Sequence, residues 1–349
     1  CGLTRQSGIS SYFVQQFNNN EQNDINTVTA YPKLTYSYRI MKKLGLRSEI
    51  RNRKKILKYP INYEIATLPT SPYRLEELSI IQEADIIHLH WVADFLNYPT
   101  FFKNIQQPIV WTLHDMNPFM GIFHYEGDVD RNKDLETLNN TIARQKRKWI
   151  HQNQNLQIVC PSRWLEKKSL ISETFKRYPH TIIPNGLDLS AYPYINKDEA
   201  KQALNINNGL KTIMFIAHSL SISRKGFNLL SASIDRLKSQ QFNLISVGGE
   251  KIDIPHKGVN HIHYNSIHDE TLINTIYSAS DLMVLPTKED NLPNVMLESF
   301  ANGTPVLSFA NGGMAEHIRT GENGILVNEV SIDALTKNFN SNRIQKKGK

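Results

Sequence analysis

Ten short runs of aliphatic and β-branched residues, separated by segments with helical periodicity, constrain what this chain can fold into more than any other feature. They are ADIIHLHW (84–91), PIVWTLHD (108–115), LQIVCPS (156–162), HTIIPNG (180–186), KTIMFIA (211–217), FNLISVGG (242–249), HIHYN (261–265), DLMVLPT (281–287), PVLSFA (305–310) and GILVN (324–328). Several are almost continuously apolar rather than alternating, which is the pattern of parallel strands covered on both faces. Stretches such as FNLLSASIDRLKSQ and ETLINTIYSA carry helical spacing between them. The alternation predicts an α/β protein built from doubly wound parallel sheets. It breaks once, over residues 187–209, where a proline, a short helical pattern near Asp198 and an Asn-Asn-Gly turn replace a strand. A junction there predicts two Rossmann-like domains, 1–188 and 189–349, facing across a cleft lined by the C-terminal ends of their strands.

Composition limits the function classes. The chain is 40% hydrophobic and 9% aromatic, ordinary for a globular protein. No apolar run approaches the ~20 residues needed to span a bilayer, and the opening residues carry no secretory pattern. Cys1 and Cys160 are too few for a disulfide framework and lack metal-ligand spacing. A cytoplasmic location is expected. The net charge of +7 gathers in residues 39–58, where Arg39, Lys42, Lys43, Arg47, Arg51, Arg53, Lys54, Lys55 and Lys58, opposed only by Glu49, interleave with Ile40, Met41, Leu44, Leu46, Ile50, Ile56 and Leu57. That segment suits an anionic membrane surface or another polyanion, and equally a solvated helical face or loop. Nucleic acid is not expected, since no stacking module accompanies it.

The stretch KEDNLPNVMLESFANGTPV (288–306) holds the most specific chemistry. It places Asp290 after a strand and Glu298 eight residues on, inside a helix that starts near Pro293. A carboxylate can accept two hydrogen bonds from a vicinal diol. The amides of Asn291, Leu292 and Asn294 fall near the helix N-terminus, which favours an anion or a sugar oxygen. In SISRKGFNLL (221–230) the cations Arg224 and Lys225 stand beside Gly226 on a loop after another parallel strand, which suits a diphosphate. Cations for phosphate and carboxylates for hydroxyls together predict a nucleotide-sugar ligand. No metal cluster is evident.

Residues 281–328, DLMVLPTKEDNLPNVMLESFANGTPVLSFANGGMAEHIRTGENGILVN, resemble the C-terminal core of retaining family 4 glycosyltransferases of GT-B architecture. The Asp290/Glu298 pair matches that family's acid pair, and Lys225-Gly226 its lysine-glycine loop. IIPNGLDLSAY, VCPSRWLEKKS and WTLHDMNPFMGIFHY resemble its linker, the elements before it and an N-domain loop of members that build polysaccharides. The resemblance implies transfer of a hexose from a nucleoside-diphosphate sugar to a glycan or lipid-linked acceptor, with retention, in cell-surface polysaccharide synthesis, peripheral on the inner face of the cell membrane. It implies that Asp290 holds sugar hydroxyls, that the amides at Asn291 and Leu292 support the hexose, and that Glu298 binds the ribose. Arg224 and Lys225 would neutralise the leaving diphosphate, and His114 would lie close to the donor sugar. Neither a cofactor nor a metal is expected. Ser7 and Gly8 match the small-residue loop for diphosphate and acceptor, with GISSYFVQQF as the following helix.

Both ends depart from that pattern. The first strand and the terminal helices of the family are expected to be missing, and the first acid is Asp where Glu is commoner. Glu289 offers a neighbouring carboxylate, and Glu126 and Asp128 are read as a solvated loop rather than acceptor contacts. Two other readings remain open: a non-catalytic or degenerate nucleotide-sugar-binding remnant, and a GT-B nucleotide-sugar epimerase.

Overall fold

Every one of the ten apolar runs forms a strand at the place where the sequence puts it. The structure is a computed structural model that describes residues 13–15, 27–44, 47–59, 64–206, 209–237, 240–254 and 256–339. The chain divides into two compact units, Cys1–Val159 with Lys167–Thr181, and Cys160–Glu166 with Ile182–Lys349.

In the first unit, β1 (Phe13–Gln15) pairs in parallel with β2 (Thr27–Thr29). A second parallel sheet runs β3 (Ile87–Leu89), β4 (Ile109–Thr112), β5 (Leu156–Cys160) and β6 (His180–Ile182) in spatial order. The helix expected over residues 8–17 is contradicted at 13–15, which are strand. Aromatic and β-branched residues such as Phe13 and Val14 favour extended backbone, and Val14 has Val28 as its partner across the pair. Trp111, Phe102, Tyr98 and Phe175 form an aromatic core behind β4, with Phe102 and Trp111 stacked 5.8 Å apart. The basic segment forms two helices, Tyr36–Lys43 and Ser48–Leu57. Ile56 is buried, while Ile40, Met41, Leu44 and Leu57 are exposed among the lysines and arginines.

The second unit holds a six-stranded parallel sheet in the order β12-β11-β10-β7-β8-β9. Its strands are β7 (Lys211–Ile216), β8 (Phe242–Val247), β9 (Val259–Tyr264), β10 (Leu282–Leu285), β11 (Val306–Phe309) and β12 (Gly324–Val327). Alternate side chains point to opposite faces of a strand, so one apolar run feeds two cores. Ile213, Phe215, Leu244 and Val284 pack with the helices Phe227–Asp235 and Ile332–Phe339. Met214, Ile245, Met283 and Leu285 pack on the other face with Glu270–Ala279 and Asn294–Ala301. β8, β10 and β11 are buried at every position, whereas β9, at the edge, is not. That difference is visible in VNHIHY, whose polar residues interrupt the apolar run. The strand order is that of a doubly wound dinucleotide-type sheet, and its topological switch point lies between β7 and β10.

Candidate functional site

The geometry of the second unit begins at that switch point. Chain order departs in opposite directions from β7 and β10, so the loops leaving their C-terminal ends are neighbours on a sheet edge left open by the helices. The first loop carries Arg224 and Lys225 in a short 3-10 turn ending at Gly226. Gly226 has φ +78°, and a Cβ there would stand 2.0 Å from the carbonyl oxygen of Pro286, so the close approach of the two loops requires glycine. The second loop carries Lys288, Glu289 and Asp290.

The acid and the cations meet directly. The Lys225 ammonium donates to Asp290 Oδ2 at 2.7 Å, and the Arg224 guanidinium lies 3.3 Å from the same oxygen. Arg224 also donates to the Glu289 carbonyl at 2.7 Å and is almost wholly buried, which makes it a brace between the loops. Burial by itself would raise the Asp290 carboxyl. Lys225 and Arg224, together with the bonds from Lys225 and from the Asn291 amide, outweigh it and hold Asp290 below its ordinary range. Asp290 is therefore an ionised, buried carboxylate between two cations.

The neighbouring residues are fixed as firmly. Asn291 is buried; its amide donates to Asp290 Oδ1 at 3.1 Å, and its side-chain oxygen accepts from Ser162 Oγ at 2.6 Å. The Leu292 side chain joins the apolar core, and its carbonyl accepts from Asn185 Nδ2 at 3.2 Å. Pro293 is the N-cap of the helix Asn294–Ala301, which carries Glu298 one turn in. Glu298 Oε2 accepts from the Tyr277 hydroxyl at 2.7 Å. Burial first, and the Glu298 carboxylate second, push the Tyr277 hydroxyl well above its ordinary pKa, so it stays a donor.

Gly312 and Gly313, in the loop after β11, complete this edge. A Cβ on either would lie 1.9 Å from a carbonyl oxygen, of Asp290 and Asn291 respectively, and Gly312 has φ +57°. The Gly313 amide donates to Asn291 O at 2.7 Å. The sequence reading passes over this pair and over Tyr277. The doubled glycine in ANGGM is a signal for the first; the second sits in an ordinary amphipathic helix and has none.

The first unit has its own constellation at the ends of β3 and β4. His114 follows β4, and its Nε2 lies 3.0 Å from Nδ1 of His90, which follows β3. Burial, and the Coulomb effect of His88 and then His114, push His90 down to about 4. Burial likewise lowers His114 although the Asp115 carboxylate works against it. The histidines of this pair are therefore neutral at pH 7, with the shared proton donated by one ring to the other. Asp115 is buried and accepts from Asn117 N at 2.9 Å and Trp91 Nε1 at 3.1 Å, and lies 2.6 Å from His124 Nδ1. Burial raises the Asp115 carboxyl, and His124 with these donors more than offsets that.

Lys146 lies beneath this loop and is invisible to motif reading. It is 1% exposed, and its Nζ donates to Asn117 O, Asn117 Oδ1 and Gly121 O at 2.7, 2.9 and 2.7 Å. Three oxygens match the three donors of an ammonium. Glu126 pairs with Lys168 at 2.5 Å. Asp128, expected in a solvated loop, instead lies on the one buried position of the helix Glu126–Arg131 and pairs with Arg131 at 2.7 Å, while Glu126 on the same helix is exposed. Ser7 and Gly8 lie outside the described residues. Among the described residues no group of three or more His, Cys, Asp or Glu side chains could hold a metal, and no helix is long and apolar enough to cross a membrane.

Comparison with known proteins meets this geometry at the second unit. Residues 210–341 match the family model of glycosyl transferases group 1. The likeness is to glycosyltransferases. Over 112 residues the chain is 34% identical to the lipopolysaccharide core biosynthesis glycosyltransferase LpsE of Rhizobium meliloti, covering 30% of this chain and 32% of that protein. Over 202 residues it is 27% identical to the lipopolysaccharide 1,2-N-acetylglucosaminetransferase of Salmonella typhimurium, covering 52% of each. The matches thus span about a third to a half of the length of these curated relatives. Among solved structures, sucrose-phosphate synthase from Thermosynechococcus elongatus superposes with a TM-score of 0.61 at 17% identity, over 94% of this chain and 76% of that one. Anabaena HepE in complex with UDP and glucose gives 0.56 at 15% identity, over 98% and 78%. These likenesses establish the fold as one of Rossmann-like α/β units of the GT-B kind.

Proposed function

We propose that this chain is a glycosyltransferase that moves a hexose from a nucleoside-diphosphate sugar to a glycan or lipid-linked acceptor in cell-surface polysaccharide assembly, with retention at the anomeric carbon. The observation that carries the reading is the meeting of Lys225, Arg224 and Asp290 at the switch point of the six-stranded sheet. The lipopolysaccharide enzymes it resembles, and the UDP bound by HepE, point the same way.

The chemistry follows from the charges. The Lys225 ammonium has three donors, of which Asp290 takes one, so it can hold a diphosphate oxygen while the carboxylate keeps it in place. As the bond from the anomeric carbon to the phosphate oxygen breaks, its electron pair moves onto the diphosphate. A cation fixed there stabilises the transition state more than the ground state. The acceptor oxygen bonds to the carbon on the face the diphosphate leaves, and the acceptor's proton passes to that diphosphate. In this reading Lys225 and Arg224 supply the neutralising charge, and no cofactor is invoked. Asp290 orients sugar hydroxyls, the backbone at Asn291 and Leu292 supports the hexose, Glu298 accepts from ribose hydroxyls, and His114 acts on the transferred sugar. Ser7 and Gly8 would serve diphosphate and acceptor. The exposed basic and apolar residues of Tyr36–Lys43 and Ser48–Leu57 are the contact with anionic lipid on the inner face of the cell membrane.

The test is to incubate the chain with a panel of nucleotide sugars and lipid-linked saccharides, and to follow release of nucleoside diphosphate and the anomeric configuration of the product by NMR. Release with a retained configuration is expected. A folded chain that releases nothing from any donor, or a product with inverted configuration, contradicts the proposal.

A further inference from the structure

The Trp91 indole is 53% exposed, unusual for so large an apolar side chain, yet it is not loose. Its Nε1–H donates to Asp115 Oδ2, and Asp115 is itself held by the Asn117 amide and by His124. The ring's polar edge is thereby turned inward, and its apolar face is left to solvent. The loop behind it is pinned as well. Asp94 sits at φ +55°, in the left-handed region that Asp enters more readily than most residues with a Cβ. Its carboxylate accepts from the Leu68 amide at 2.9 Å and pairs with Arg53 at 2.7 Å. A depression beside the indole is lined by His90, Trp91, Tyr98, His114, Asp115 and Pro118.

An exposed aromatic ring is ordinarily mobile and costs hydration. One whose orientation is fixed by a bond to a buried carboxylate is preorganised, so a flat ligand loses little entropy on its account. A pyranose presents such a surface, with axial C–H bonds on one face and hydroxyls around the rim. The His90 imidazole, whose Nδ1 faces His114, stands beside the indole with its Nε2 as a group able to bond those hydroxyls. We infer that Trp91 is a stacking platform for a saccharide ring of the acceptor, with His90 reading its hydroxyls. The inference rests on the glycosyltransferase reading for the word acceptor, but saccharide binding at Trp91 stands or falls without it.

The experiment follows indole fluorescence of the full chain titrated with methyl glycosides of glucose, galactose, mannose and N-acetylglucosamine. A difference between wild type and Trp91→Phe isolates the one ring. Trp91→Phe keeps an aromatic face and Trp91→Ala removes it, and thermal unfolding of both shows that they are folded. The expected result is a saturable change in the Trp91 signal with at least one glycoside in the millimolar range. Affinity by NMR should be lost in Trp91→Ala and weakened to a lesser degree in Trp91→Phe, which keeps an aromatic face without the bond to Asp115. No change with any glycoside, or equal affinity in wild type and Trp91→Ala, overturns the inference. Parallel titration of wild type with nucleoside diphosphates separates the two claims. Diphosphate binding without a saccharide signal defeats the platform alone, and a saccharide signal without diphosphate binding supports the platform and defeats the transferase reading.

Discussion

Lys146 joins burial, charge and loop position in one side chain. Its ammonium reaches three oxygens of the loop that carries His114 and Asp115, and burial pushes its pKa down to about 7, although Asp115 and Asp94 raise it in part. The folded-state value lies below the unfolded one of 10.5. Between the two the unfolded chain holds a proton that the folded chain does not, so stability rises with pH across that window and is flat below it, by up to ~1.4 kcal/mol per pH unit. Above pH 10 the buried Tyr98 and Tyr277 act in the opposite sense, since burial raises both. Urea unfolding midpoints should therefore climb from pH 7 to 9, and Lys146→Met should flatten the climb; an unchanged slope in that variant would falsify the assignment. At Glu298 the prediction separates two roles. Glu298→Ala leaves the buried Tyr277 hydroxyl without its acceptor and should cost roughly 1–3 kcal/mol of stability, while Glu298→Gln keeps an acceptor and should cost less. Equal unfolding midpoints for the two variants would count against it. None of this is legible in the sequence, because a lysine in KRKWI and a tyrosine in INTIYSA read as surface and core residues until the packing is known.

At the scale of elements the sequence is far more informative. Central strands must be apolar on both faces, so FNLISV, LMVL and VLSF declare themselves. Loop chemistry is legible in part: the SRKG and KED segments are recognisable as charged loops after parallel strands, but their direct ion pair depends on β7 lying beside β10, which no local pattern encodes. GISSYFVQQF misleads because its spacing fits a helix while Phe13 and Val14 pair as strand. The glycines give two element-level expectations. Gly226→Ala and Gly312→Ala each force a Cβ onto a carbonyl at positive φ, and each should destabilise the second unit by more than about 1 kcal/mol in thermal or urea unfolding. Midpoints equal to wild type would mean that the loops do not approach as described. The basic helices give another: sedimentation with phosphatidylglycerol vesicles should fall as salt rises, and further in Lys54→Gln/Lys55→Gln, both of which are exposed. Binding indifferent to salt and to those changes would remove the lipid contact.

For the molecule as a whole, the alternation of strand and helix suffices for an α/β fold with parallel sheets, and the six-stranded sheet has the order of a nucleotide-binding one. That order explains why the residues with recognisable chemistry sit where they do, since a switch point opens the sheet edge between β7 and β10 whatever the ligand. The central claim is that Lys225, anchored by Asp290, binds the diphosphate of an activated sugar. Calorimetric titration of the full chain with UDP, ADP and GDP tests it most directly, with Lys225→Ala beside wild type. At least one nucleotide should bind wild type and lose on the order of 1–3 kcal/mol of affinity in the variant, the worth of a charged hydrogen bond. Folded wild type that binds none of them, or wild type and Lys225→Ala with the same affinity, would contradict the account.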